Sequence, residues 1–405
     1  MAQLFYDSVH AVCANDYTQE QLDVWATGDV DLEKWNKSFS ENTTLIAQEG
    51  GVILGFADMD SSGYLDRLYV HKDFQGKGIA KKLVNSLETM AKNKGITKFV
   101  ASTLDSAEGF CNYAVAARDK QRAQAFAKKY NFKKAYGSYE EMLQDPEVDL
   151  VYIATTTSHH YEHAMLCLKH KKPVICEKSF TANLAQAQEV IEAFERENIF
   201  ITEAIWPRYV PFTKTLKQLL AEGVVGTPRL LTANLGYPVS HIERVYKPEL
   251  AGGALLDIGV YTLNFASMIF GDDVVSTTSS AVLTQTGVDE HSSITLTYPD
   301  GRLAVLCNSM SVRTDRQGII YGSEGMLVVD NINNPVNAKL YSTDQEFIKE
   351  FNAPKQISGY EYQFEASRQA MEKGLLECSD MPHSETLLMM QWMEDLLQEW
   401  GVKRA

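Results

Sequence analysis

The chain has 405 residues, 45% of them hydrophobic and 22% charged, with 25 Gly and 11 Pro. That is enough to bury a sizeable core, and at roughly 100–200 residues per domain it implies two or three domains. A formal net charge of -15, with a pI near 5.1, excludes a dedicated nucleic-acid binder as the default, because such proteins present a basic face.

No uninterrupted apolar run approaches the roughly 18 residues that span a bilayer. The start of the chain, MAQLFYDSVH, lacks a basic stretch followed by an apolar one, so neither a membrane anchor nor a secretory leader is expected. Six cysteines, at 13, 111, 167, 176, 307 and 378, are scattered without a CxxC, and Cys176 lies in the apolar run PVICEK. This is the usage of buried thiols in a reducing cytoplasm rather than of a disulfide framework.

No internal repeat is visible, and the character of the chain changes at Ser102–Asn112. Before that junction the pattern predicts helices at Gln19–Trp25 and Leu32–Phe39. Strands follow at Thr43–Gln48, Val52–Met59 and Tyr64–Val70, separated by the turn signals EGG and DSSG. A glycine-containing loop, Gln75–Ala80, leads into a helix over Lys81–Asn93, where Leu83, Val84, Leu87 and Met90 hold helical spacing, and Thr97–Ser102 reads as a strand.

After the junction strand and helix alternate. Strands are expected at Asn112–Arg118, Leu150–Thr155, Val174–Glu177 and Phe200–Ile205, and helices at Lys120–Tyr130, Tyr139–Leu143, His160–His170, Leu184–Glu197 and Phe212–Glu222. Such alternation implies a parallel sheet covered on both faces. From Arg229 longer strands take over, at Arg229–Leu235, Val274–Leu283, Ser292–Tyr298, Ala304–Met310, Gly318–Tyr321 and Met326–Val329. An apolar helix, Leu255–Phe270, interrupts them, and Tyr360–Gly374 and Ser384–Trp400 close the chain as helices. This third part reads as an α+β domain on a mostly antiparallel sheet.

Four segments occur in order in the second and third parts: VYIATTTSHHYEHA, ICEKSF, EAIWPRYVP and AGGALLDIGVY. Each falls at the C-terminal end of an expected strand or on a helix facing it, which is where open α/β sheets bind ligands. Together they resemble the Gfo/Idh/MocA family of nicotinamide-dependent oxidoreductases, and most closely its dihydrodiol dehydrogenase and sugar reductase branch. The resemblance covers Cys111–Ala405. It implies that Lys178 supplies a proton to substrate oxygen, with Asp257 and Tyr261 supporting it from the apolar helix.

The same resemblance places Arg118, Thr155, Thr157, His160, Glu177, Lys178, Trp206 and Arg208 around an NAD(P) cofactor. Arg118 at a strand end favours NADP over NAD by pairing the 2′-phosphate, although a helix start capped by Asp119 is an equal reading of the same residues. Many relatives carry His in place of Tyr261 and Pro in place of Ser179. His160 either points into the cofactor cleft or begins its helix. His159 and His163 are four apart without the glutamate of a zinc protease, so no metal site is expected. The expected unit of strand, GxGxxG loop and helix is not found ahead of Cys111.

In its place stands YLDRLYVHKDFQGKGIAKKLVNSLE. Gln75, Gly76, Lys77, Gly78, Ile79 and Ala80 follow a strand and precede a helix. There the glycines let backbone N–H groups approach a pyrophosphate and the helix start favours its charge. With the strand meander before it, this phrase resembles an incomplete GNAT acetyltransferase. The resemblance implies acetyl-CoA binding at Leu68, Val70 and Gln75–Ala80.

The expected organisation is a partial GNAT-like domain at 1–108, a truncated Rossmann-type parallel sheet at 109–228, and an α+β domain for substrate and dimerisation at 229–405. The function expected first is hydride transfer between NAD(P) and a sugar or diol, in a cytoplasmic homodimer joined through the C-terminal sheet. Acetyl transfer and a non-catalytic fusion remnant are the alternatives. A further expectation has the strand Tyr64–Val70 with its phosphate loop docking parallel to Asn112–Arg118 as a surrogate Rossmann start.

Overall fold

A computed structural model describes residues 1–12, 19, 22–23, 26–28, 30–59, 65–80, 82–84, 86–87 and 110–404. The expected helix Gln19–Trp25, the later part of the expected helix Lys81–Asn93 and the expected strand Thr97–Ser102 lie wholly or partly outside these residues. The chain forms two compact units, Met1–Phe99 and Val100–Ala405.

In the first unit a helix at Ala2–Val12, which has no counterpart in the sequence reading, precedes one at Leu32–Glu41 and the strands β1 (Thr43–Glu49), β2 (Val52–Met59) and β3 (Leu65–Val70). The three strands form an antiparallel meander in that order. Leu4, Phe5, Val9, Leu22 and Phe56 make its core, edged by Trp35, Phe39 and Tyr69. Asp58 is fully buried. It survives there because Arg67 bonds both its oxygens at 2.9 and 2.8 Å and Asn42 adds a third bond at 2.7 Å. The guanidinium also lies 4.2 Å from the Phe39 ring centroid.

The second unit begins with β4 (Ala114–Ala116) and β5 (Lys134–Tyr136), a parallel pair joined through the helix Lys120–Lys129. Asp119 caps that helix by accepting from the Gln121 and Arg122 N–H groups, at 2.8 and 3.2 Å. The strands β6 (Val151–Ile153), β7 (Val174–Glu177) and β8 (Ile201–Ala204) form a separate parallel sheet, β6-β7-β8, with the helices His160–Lys169 and Leu184–Arg196 as crossovers. Among the described residues no ladder joins β4 to β6. Among the described residues β3 pairs with β2 and β4 with β5, each inside its own sheet.

The last part is an eight-stranded sheet made of β9 (Pro228–Gly236), β10 (Ser276–Leu283), β11 (Asp289–Thr297), β12 (Leu303–Ser309), β13 (Gly318–Gly322), β14 (Gly325–Val329), β15 (Asn337–Ser342) and β16 (Phe347–Asn352). Its order is β10-β11-β12-β9-β13-β14-β15-β16, with β12 and β9 the only parallel neighbours. Alternate residues of β14 (Gly325, Leu327, Val329) face the core, as a half-covered sheet requires.

The covering element is the helix Val260–Phe270, buried on nearly all sides. By length and composition Pro248–Phe270 would suffice to cross a membrane, a property that its glycines and Asp257 break up in the sequence. In the fold it is a core element, with 89% of its most apolar window buried. Gly318 lets it approach closely, since a Cβ there would lie 2.4 Å from Phe265 Cε1.

Candidate active site

Lys178 follows directly on the C-terminal end of β7. Its ammonium donates to the Asp257 carbonyl at 2.5 Å and to Asp257 Oδ1 at 3.0 Å, and lies 5.1 Å from the Tyr261 ring centroid. Asp257 sits in a π-helical turn, Leu255–Gly259, that opens the apolar helix. Two features hold this turn. The buried Asp289 of β11 accepts the Leu255 N–H at 2.6 Å. Gly252 and Gly253 let the backbone of residues 245–247 come within bonding distance, with Gly253 N–H to Val245 O at 2.8 Å and Gly252 N–H to Lys247 O at 3.1 Å.

That close approach delivers a residue the sequence reading missed. Arg244, on the short helix Glu243–Tyr246, donates to the same Asp257 Oδ1 at 2.8 Å. Burial alone would raise the Asp257 carboxyl. Lys178 and Arg244 together overcome it and hold the group well below the usual carboxylate range. Nothing local in the sequence marks Arg244, because a four-residue helix between loops carries no periodic signal.

Around this triad the remaining walls are aromatic and polar. Glu177 accepts from the Tyr152 hydroxyl and, through Oε2, from the Lys178 N–H at 3.3 Å, and burial raises its carboxyl. Trp206 stacks on Tyr360 with ring centroids 4.5 Å apart. Its indole N–H lies beside the Tyr261 hydroxyl without closing a hydrogen bond. Gln363, fully buried near Tyr152, leaves both amide atoms unbonded. Buried polar atoms without partners are rare, and here two such side chains neighbour Tyr261 and Tyr152, the residues next to Lys178 and Glu177. Burial also pushes the Tyr261 phenol well above its usual value.

The other residues expected at the cofactor fall into three places. Arg118 is exposed at the end of β4, and its charge reaches His163. Thr155 shares that edge, with its hydroxyl 2.9 Å from His163 Nδ1, and Thr157 begins the next turn, half-buried.

His160 is buried beneath the edge rather than open to it. Its Nδ1 lies 2.9 Å from the Ser179 carbonyl and its Nε2 3.0 Å from the Thr155 carbonyl, and burial brings the ring down to about 4.

Arg208 belongs to a different group. Its guanidinium is spent on Asn264 at 2.5 Å and on Ser267 and Glu385 at 2.8 Å each, beside a pocket of about 440 Å³ lined also by Lys217 and Asp272. No group of three or more metal-ligating side chains is found among the described residues.

The residues expected at a CoA site lie in the first unit. Leu68 and Val70 end β3, and the Gln75 amide donates to Val70 O at 2.7 Å. Gly76 and Gly78 have φ of +72° and +75° with open space where a Cβ would stand. Lys77 lies 4.5 Å from the Phe74 ring, and the bond from Lys82 N–H to Gly78 O, 3.0 Å, begins a helical turn through Ile79 and Ala80.

A parallel αβ layer, a large antiparallel sheet and a lysine–carboxylate centre between them define a dinucleotide-type oxidoreductase architecture. The sequence bears this out. The chain matches the profile of the oxidoreductase family with NAD-binding Rossmann fold over residues 89–204 and that of the GFO/IDH/MocA C-terminal domain over 213–328.

It is 34% identical over 295 residues to trans-1,2-dihydrobenzene-1,2-diol dehydrogenase of Xenopus tropicalis, covering 71% of this chain and 89% of that one. Against the same enzyme of Mus musculus it is 35% identical over 314 residues, covering 75% and 92%. The chain belongs to the Gfo/Idh/MocA oxidoreductase family.

Two solved structures share the fold. One is a 3-ketoreductase from Actinomadura kijaniata in complex with NADP and TDP-benzene (TM-score 0.67, 22% identity, 73% of this chain and 91% of that one). The other is an aldose-aldose oxidoreductase from Caulobacter crescentus complexed with glycerol (TM-score 0.68, 18%, 75% and 93%). Residues 13–113 match the acetyltransferase (GNAT) domain, and that match overlaps the Rossmann one over 89–113.

Proposed function

We propose that the chain transfers hydride between NAD(P) and a CH–OH or ketone carbon of a sugar or diol, with Lys178 handling the proton at the substrate oxygen. One observation carries this reading: Lys178 Nζ, just past the C-terminal end of β7, is held by the Asp257 carbonyl and carboxylate with Tyr261 beside it. An ammonium has three N–H donors. Two are spent on Asp257, so the third is left for a substrate oxygen. Arg244 on the far side of Asp257 keeps that carboxylate ionised and so keeps the ammonium in place. Tyr261, its phenol raised by burial, serves as a neutral O–H donor to the same oxygen rather than as a base.

The nicotinamide end of the cofactor fits these residues, with Trp206, Glu177 and the free Gln363 amide beside it, and the bound nicotinamide supplies or accepts the hydride. Arg118 and Thr155 stand where the adenosine end belongs, and Arg118 favours NADP. Among the described residues no parallel strand of this unit is followed by a glycine-rich loop, so the pyrophosphate has no backbone cradle there and the affinity is expected to be low.

The substrate class follows the named activities of the relatives, a cyclic diol and sugars. The exposed apolar residues Val282, Phe347 and Ile348, on the two edge strands β10 and β16 of the large sheet, support a homodimer through that sheet, and the five described cysteines, all free thiols, support a cytoplasmic setting.

The test is an NADPH fluorescence titration followed by turnover on trans-dihydrodiols and aldoses. Arg118→Ala should weaken NADPH more than NADH, and Lys178→Ala should remove turnover while binding persists. A wild-type chain that binds neither nucleotide refutes the reading.

A second reading concerns the first unit alone. Gly76 and Gly78, both at positive φ with open space beside them, support acetyl-CoA binding there. Calorimetry should detect acetyl-CoA in the wild type and lose it in Gly78→Asp.

A further inference from the structure

Under the loop that carries Lys178 lies a carboxyl group that the proposed reaction does not use. Glu203 of β8 is 1% exposed, and neither of its oxygens makes a hydrogen bond. Register places it opposite Cys176 of β7, so both side chains project from the same face of the sheet. On that face Cys176 Sγ donates to the Phe180 carbonyl at 3.6 Å, while the polar neighbours of Glu203 include the Phe180 N–H and the Thr386 hydroxyl. The two side chains together therefore meet the backbone of Phe180, two residues past Lys178. From above, Ser179 Oγ fixes the same loop to the Leu256 carbonyl at 2.8 Å, one residue before Asp257.

The charges around Glu203 do not neutralise it. From β7 come the Glu177 carboxyl and the Cys176 thiol. From the turn after β8 come Arg208 and the Tyr209 phenol, but Arg208 is already committed to Glu385, Asn264 and Ser267, and the Tyr209 hydroxyl donates to the Glu203 carbonyl instead. The helix His383–Glu399 contributes Thr386, which is neutral. The Phe180 N–H and the Thr386 hydroxyl favour the carboxylate, but with no bonded cation the cost of burying the charge outweighs them and favours the neutral acid.

We infer that Glu203 is a positioning residue: held as the neutral acid, it seats the Lys178–Ser179–Phe180 loop, and its ionisation unseats that loop. This rests on the assignment of Lys178 to proton transfer for its functional meaning, but not for its test. Burial pushes the carboxyl up to about 7, which puts the change near neutral pH. Because the folded-state value lies above the ordinary one, the stabilisation is complete below about pH 4.5 and declines as the pH rises through 7.

Hydrogen exchange of the full, unliganded chain tests this. After correction for intrinsic exchange, protection of the peptide spanning 177–182 should fall about tenfold between pH 6 and pH 8.5 in the wild type and stay flat in Glu203→Gln. Infrared titration of the wild type, which needs no variant, should show a buried carboxylic C=O band disappearing over the same range. The inference is overturned if no such band titrates there, or if protection is flat in the wild type or equally pH-dependent in Glu203→Gln. Both measurements are made without cofactor. A failure of NADPH binding would therefore leave them standing, and a flat profile beside intact NADPH binding would sink this inference alone.

Discussion

Replacing Asp257 by Asn removes the single negative charge between two cations while keeping nearly the same shape. Lys178 Nζ and Arg244 Nη1 approach the same Oδ1 at 3.0 and 2.8 Å, and Asp257 is largely buried. At an effective dielectric of about 20, each contact is worth roughly 5 kcal/mol of Coulomb energy before desolvation is subtracted. Breaking a buried ion pair by deleting one partner typically costs about 3–5 kcal/mol, because the remaining charge is left uncompensated, and here two like charges are left facing each other. At about 2 °C per kcal/mol for a unit of this size, the melting temperature should fall by roughly 6–10 °C.

The assay is thermal unfolding of wild type, Asp257→Asn, Lys178→Met and the double variant. Lys178→Met relieves the cation repulsion, so the double variant should lose at least about 1 kcal/mol less than the sum of the singles. A fall below about 2 °C in Asp257→Asn, or strict additivity in the cycle, refutes the two-cation account of the site.

Arg208→Met should cost about 3–5 kcal/mol by stranding the Glu385 carboxylate, yet leave the NADPH titration unchanged, because the guanidinium serves Asn264, Ser267 and Glu385 and none of the Lys178 cluster. A large loss of affinity at unchanged stability would return Arg208 to the cofactor. Gly318→Ala should destabilise by about 1–3 kcal/mol in chemical denaturation, since its methyl would sit 2.4 Å from a buried Phe265 ring atom and 2.7 Å from Ile332. Asp289 has its carboxyl pushed up to about 6 by burial, so it favours the neutral form. The associated stability, about 3 kcal/mol, is present below about pH 4 and lost as the pH rises through 6. Melting curves between pH 4 and 7 should show that decline in the wild type and a flatter profile in Asp289→Asn.

The elements read from the sequence are those whose pattern is local. Val174–Glu177 and Val52–Met59 appear with the bounds expected because apolar runs between turn residues define them, and Tyr139–Leu143 does because Ser138 caps its start. The elements not foreseen lack such a pattern. β16, FIKEFN, is an edge strand exposed along most of its length, so nothing forces alternation on it. β5 has three residues, and its neighbour β4 supplies its reason to exist.

Lys178, Asp257 and Tyr261 each sit in a recognisable phrase, and the structure brings the three together in the candidate site. Arg244 and Gln363 sit in no such phrase. Arg244 reaches Asp257 across a backbone approach that Gly252 admits, and Gln363 is one polar residue on the helix Glu361–Glu372, whose burial comes from tertiary packing. Arg208 was read with its neighbour Trp206, yet the two side chains diverge, one to the helix Val260–Phe270 and the other to Tyr360.

The place between β4 and β6 bears on the proposed chemistry. In a doubly wound sheet of order 3-2-1-4-5-6, the first strand lies between the second and the fourth. β4 and β5 take the places of the second and third strands, β6, β7 and β8 those of the fourth to sixth, and the described residues show no ladder at the place between. That place carries the phosphate loop in such folds, but the residues proposed for proton transfer lie elsewhere. Lys178 stands on β7, Asp257 and Tyr261 on the apolar helix, Arg244 beside that helix and Asp289 on β11, and all are braced by the large sheet and by one another. On the proposed reading, cofactor affinity and acid–base geometry therefore rest on separate parts of the fold. A loss of the first leaves the second intact, which is why the stability cycle on Asp257 and the titration with NADPH measure different things.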